Sequence, residues 1–187
     1  MKRFILLLLC AISINVAMAQ DEVAPEYVVE DDSVKMSRII EDTGLSIQEA
    51  HDRVFLHLAQ AFNDANNTCK MDSPSQLFYR GIFSDVAVFN VGLGVLWKYS
   101  VSFDLNISVK ENRVRVVVSV SGASMSSGPG VYYRFVDAYP ITPEHDAYET
   151  GVKKKHAEEI FANTLVYMQS LIDGIENSLI NTDDEDW

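Results

Sequence analysis

Arg80, Arg113, Arg115 and Arg134 are the residues of this chain best suited to act on another molecule. A guanidinium is a planar fork of N–H donors that matches a carboxylate or a phosphate. Each of the four sits in a stretch where apolar and polar residues alternate. The alternation predicts that all four point to one side of a sheet, with Phe78 and Tyr132 as aromatic neighbours. Four of the six arginines after residue 19 would then share one face of a chain whose formal net charge is −12. The chemistry implied is capture of a small anionic or carboxylate-bearing ligand. The plainer reading is cross-strand pairing with Asp104 and other acids, or with the acidic ends of the chain itself.

Covalent chemistry is less well supplied. There is no Gly-x-Ser-x-Gly elbow, no papain-type cysteine context and no carboxylate pair spaced to share one face. Gly92-Leu93-Gly94 lacks the rest of a phosphate loop. His51 and His57 are six apart on a predicted helix, hence roughly 120° apart around it, and cannot share one ion. They read as independent surface or boundary residues. Glu144-His145-Asp146 is compact, but adjacent residues seldom converge on one ion, and His156 stands elsewhere. Lys153-Lys154-Lys155 and the acidic run Asp183-Asp184-Glu185-Asp186 read as solvated charge. No catalytic residue, metal ligand or cofactor is therefore assigned. The reading is a non-catalytic binding module, and an enzyme of this chain would be a hydrolase needing no diffusible cofactor.

A second surface is the stretch 86–97, too apolar for an ordinary loop. It reads either as a hairpin that completes the core or as a patch, carried by Phe89, Leu93, Leu96 and Trp97, that docks on a protein partner. If docked between copies, it would make the chain an assembly component.

Where these residues work follows from the first nineteen. Lys2 and Arg3, an apolar run to Val16, then Ala17-Met18-Ala19 form the three parts of a secretory signal peptide. The run is shorter than the roughly 20 apolar residues a bilayer span requires, and none follows it, so no transmembrane segment is expected after cleavage. Cys10 would be a lipid anchor only if a small residue preceded it, and Leu9 is not small. Export to the periplasm or cell surface is expected, with residues 20–32 as a flexible acidic leader, 33–180 as one α+β domain and 181–187 as an acidic tail. Cleavage leaves Cys69 as the single cysteine, so no internal disulfide can form. It reads as half-buried in a loop after a helix. Removal of Lys2 and Arg3 makes the chain still more acidic. Phosphate backbones repel such a chain, which argues against nucleic acid as a partner.

The elements that must position the arginines are legible from period. Residues 34–41 read as a strand, and Thr43-Gly44 as a turn. Ser46 three before Glu49 is a capping box opening a helix over 47–62, with Ile47, Ala50, Val54 and Leu58 on one face. From Tyr99 to Lys110 the alternation is strict, which predicts a strand with one dry face. A turn at Glu111-Asn112 returns it through Val114, Val116, Val118 and Val120. Strands are also expected at 76–83 and 131–139, and a Ser/Gly-rich mobile connection at 121–130. Ala157 to Leu179 repeats at the helical period over about six turns. The fold class is α+β: a curved antiparallel sheet with an N-terminal and a long C-terminal helix on one face.

A resemblance rests on three runs: Gly44-Leu45-Ser46 through the helix to Phe62-Asn63-Asp64, then Leu77-Phe78-Tyr79-Arg80-Gly81, then Phe103 through Lys110 to Arg113. Together they resemble a family of exported bacterial domains of unknown function described as having a TATA-binding-protein-like fold. The resemblance covers about residues 34–140 and implies that fold, of TBP-like or helix-grip-like type. It brings no catalytic residues, and a TBP-like label does not imply DNA binding.

Overall fold

In the computed structural model the alternation after Trp97 becomes the centre of a sheet. The structure describes residues 26–30, 33–62, 68–127 and 154–180. Among them six strands form one antiparallel sheet: β1 (Tyr27–Glu30), β2 (Ser33–Glu41), β3 (Cys69–Ser73), β4 (Gln76–Gly92), β5 (Val95–Lys110) and β6 (Arg113–Ser127). Their order across the sheet is β1-β2-β6-β5-β4-β3. Two helices, α1 (Ile47–Ala61) and α2 (Lys154–Ile180), lie on the same face. The α+β expectation therefore holds. No helix among the described residues is long and apolar enough to cross a membrane.

The dry face is built from alternate residues of the long strands. Phe103, Leu105 and Ile107 of β5 are 2%, 0% and 0% exposed, with Val114, Val116 and Val118 of β6 beside them. Against them pack Val54 and Leu58 of α1 and Met168, Ile172, Ile175 and Leu179 of α2. Burying such a side chain stabilises by about 1.5–3 kcal/mol, so this single apolar layer is what drives folding.

Local chemistry sets the ends of α1. The Ser46 hydroxyl accepts from the Glu49 amide at 3.3 Å, and the Glu49 carboxylate accepts from the Ser46 amide at 3.0 Å, which is the expected capping box. The β5–β6 turn is tied to the loop before α1. Asn112 takes a left-handed φ of 59°, its side-chain oxygen accepts from the Gly44 amide at 2.6 Å, and its own amide donates to the Leu45 carbonyl at 3.1 Å. Asparagine tolerates that conformation better than most residues.

A polar contact seats α2. Arg38 lies on the helix side of β2, between Met36 and Ile40, and donates from Nη1 to Asp173 at 2.7 Å and to Glu176. Near it Gly174 lets the His57 ring close on the helix: a Cβ there would stand 2.9 Å from Nε2.

Four expectations need correction. Tyr27–Glu30, read as the end of a flexible leader, is an edge strand paired with Ser33–Met36 of β2; all four residues are exposed. Cys69 opens β3 rather than sitting in a loop. The 76–83 strand continues to Gly92 through a bulge between Phe83 and Ala87, where Asp85 takes a φ of 53°. The connection expected from residue 121 is strand up to Ser127, because a bulge at Ser121 shifts the register and turns Ala123 and Met125 to the core side. The 131–139 strand, the signal peptide and the acidic tail lie outside the described residues.

Candidate functional site

The helix-free face of the sheet is where Arg113 and Arg115 project, as their alternation predicted; both are exposed. Register sets their neighbours. Arg115 lies between Ile39 on β2 and Ser108 on β5, while Arg113 lies between Glu41 on β2 and Lys110 on β5. Ile39, Ser108, Lys110, Arg113 and Arg115 line a depression of ≈ 300 Å³.

Its electrostatics are lopsided. Lys110 stands directly across the ladder from Arg113, a like-charge pairing that ordinarily destabilises a sheet. Glu41 reaches Arg113 only at 3.9 Å, and both side chains are largely exposed. Among the described residues Lys110 and Arg115 have no ion-pair partner. Three cations thus converge with little internal compensation, in a chain where 27 acids outnumber 15 lysines and arginines. An anion placed between them gains charge-assisted hydrogen bonds from two forks and an ammonium, and relieves their mutual repulsion.

The other expected residues separate from this group. Arg80 is committed to Asp104, its cross-strand partner, with Nε to Oδ1 at 2.7 Å and Nη2 to Oδ2 at 3.0 Å. It also lies 5.8 Å above the half-buried Phe78 ring. For this arginine the plainer ion-pair reading describes what is seen. Tyr132 and Arg134 lie outside the described residues. Lys110 was missed, although its even position in the 99–110 strand placed it on the same face.

The 86–97 stretch forms a hairpin with a two-residue turn at Leu93-Gly94. Val86 and Ala87 belong to the core, as the hairpin reading expected. Phe89 and Trp97 pair across the ladder and pack partly against the core, with Phe89 stacked on the buried His156 at 3.7 Å. Leu96, opposite Asn90, projects to the other face, and Leu93 stands fully exposed at the turn. The four residues do not form one patch.

His51, read as a surface or boundary residue, is buried at 8% exposure, with its ring stacked on Phe55. Its Nδ1 meets Asp52 at 2.9 Å and its Nε2 meets Asp72 at 2.7 Å. Burial disfavours the charged ring, but the two carboxylates outweigh it and raise its pKa above the usual value. With both nitrogens engaged by acids, His51 clamps β3 to α1. Burial also pushes the Tyr79 phenol up, with the neighbouring Cys69 thiol adding to the shift. No group of three metal-ligating side chains occurs among the described residues.

No protein-family model and no curated protein sequence matches this chain. Its backbone does match solved structures. A TBP-like protein from Parabacteroides distasonis superposes with a TM-score of 0.60 at 10% identity, over 82% of this chain and 97% of the other. The fold is TBP-like. A DUF4468 family protein from Bacteroides ovatus shares it, with a TM-score of 0.56 at 11% identity, over 85% of this chain and 93% of the other. At such identities the TBP-like fold is what is shared, and activity has to be argued from this chain's own side chains.

Proposed function

We propose that this chain is an exported, non-catalytic module of the bacterial cell envelope that binds a small anion through Lys110, Arg113 and Arg115. One observation carries the reading: three cations that have a single weak acidic contact among the described residues gather around a depression in a strongly acidic chain. A ligand that binds the folded state alone stabilises it in proportion to the logarithm of its concentration. Inorganic phosphate at constant ionic strength is therefore expected to raise the melting temperature of the protein. In the Arg113→Gln/Arg115→Gln variant that rise disappears, while stability without phosphate is unchanged or improved. An equal response of both proteins to phosphate overturns the reading. Export is supported by the signal-type N-terminus, and intact mass separates cleavage after Ala19 from lipid attachment at Cys10.

A further inference from the structure

We infer that the anion held at this depression carries an aliphatic tail, and that the tail lies on Ile39. The inference rests on the anion-binding reading above and names the class of ligand: a single acidic head on a hydrocarbon chain.

The two sides of Arg115 differ in kind. Toward β5 stand the Ser108 hydroxyl and the Lys110 ammonium, which suit an oxyanion. Toward β2 stands Ile39, 54% exposed, one strand away and directly in register. Adjacent strands are about 4.8 Å apart, so a head group on Arg115 and Lys110 places its third or fourth atom over Ile39. The next residue on this face of β6 is Val117, half-buried, which widens the apolar floor.

Charge excludes the alternative of a second acidic group on the β2 side. Glu41 occupies that side beside Arg113 and repels it. The ligand's charge is therefore confined to the β5 side, and the β2 residue in register with Arg115 is the apolar Ile39, flanked on this face by Ser37 and Glu41. Among the described residues the tail also has room. β1 pairs with β2 only at Ser33–Met36, so among the described residues no strand walls off Ile39 at the sheet edge.

The test compares two carboxylates with the same head, acetate and octanoate, the latter below its aggregation concentration. Binding to the full chain is measured by calorimetry and by the amide shifts of Arg115 and Ile39. Octanoate is expected to bind at least tenfold tighter than acetate. Ile39→Ser returns octanoate to the acetate affinity, and Arg115→Gln removes both. Should Ile39→Ser fold poorly, Ile39→Thr keeps the β-branched backbone preference and carries the same comparison. Equal affinity of acetate and octanoate overturns the tail and leaves the anion site standing. An octanoate advantage that survives the Ile39 change places the tail elsewhere and also overturns it. If neither carboxylate nor phosphate binds, both readings fall together.

Discussion

The guanidinium of Arg38 on β2 meets the carboxylate of Asp173 on α2 at 2.7 Å, on the side of the sheet otherwise filled by apolar side chains. Glu176, one turn further along α2, takes the same nitrogen. The pair sets where along the sheet the helix comes to rest, which apolar contacts alone would leave less sharply defined.

Arg38→Ala should cost stability through this contact. Exposed pairs contribute under about 1 kcal/mol, and breaking a fully buried one costs about 3–5 kcal/mol. With side chains 31% to 46% exposed, these three groups fall between the two. A loss of about 1–2 kcal/mol is expected, read as a lower urea midpoint. An unchanged midpoint would mean that packing alone seats α2.

The clamp at His51 makes stability depend on pH. Because its folded-state pKa is raised above 6.5, its contribution is fully present below that pH and is lost as pH rises through the raised value. Asp52, held below its usual 3.8 first by His51 and then by Gln48, gives the opposite limb, lost as pH falls. An NMR titration should show the His51 ring titrating above 6.5, and Asp72→Asn should move it down. A ring that titrates at or below the ordinary value would refute the clamp.

Gly81 pairs with Phe103 across the β4–β5 ladder, and the ring lies over it: an added Cβ would stand 2.5 Å from Cζ and 2.7 Å from Cε1. Phe103 is held in turn by Phe83, stacked at 4.3 Å. Gly81→Ala is expected to cost about 1–3 kcal/mol, with loss of near-ultraviolet dichroism from the displaced rings. A neutral substitution would show that the Phe103 ring can move freely.

Leu93 holds a φ of 52° at the exposed hairpin turn, a conformation that costs a leucine about 1–2 kcal/mol. Leu93→Asn should raise the melting midpoint by about 1 kcal/mol in free energy, since asparagine suits such turns. A fall in stability would mean that the leucine packs on something in the folded chain.

The parts of the fold that could be read in advance share one property: a single period uninterrupted along the chain. Tyr99 to Lys110 has it, as do the faces of α1 and α2, so the central strands, the helices and the outward direction of Arg113 and Arg115 were legible. The period fails where the backbone inserts a residue. Past Ser121 and between Phe83 and Ala87 the phase shifts, and a serine- and glycine-rich strand then looks like a loop. β1 has no buried face, so nothing in Tyr27–Glu30 could alternate. With β3 unseen, Asp72 could not be brought to His51. The depression was half legible: alternation alone puts Ser108, Lys110, Arg113 and Arg115 on one face, while bringing Ile39 beside Arg115 depended on which strands pair.

The bonds from Asn112 to Gly44 and Leu45 join stretches of chain far apart in sequence, with the first spanning 68 positions. The β5–β6 hairpin needs only nearby partners and can zip early, whereas this tether must wait for a long loop to close. The corner that bears Lys110 and Arg113 is thus expected to be fastened late in assembly, and hydrogen exchange during refolding should find the Asn112 amide among the last to gain protection.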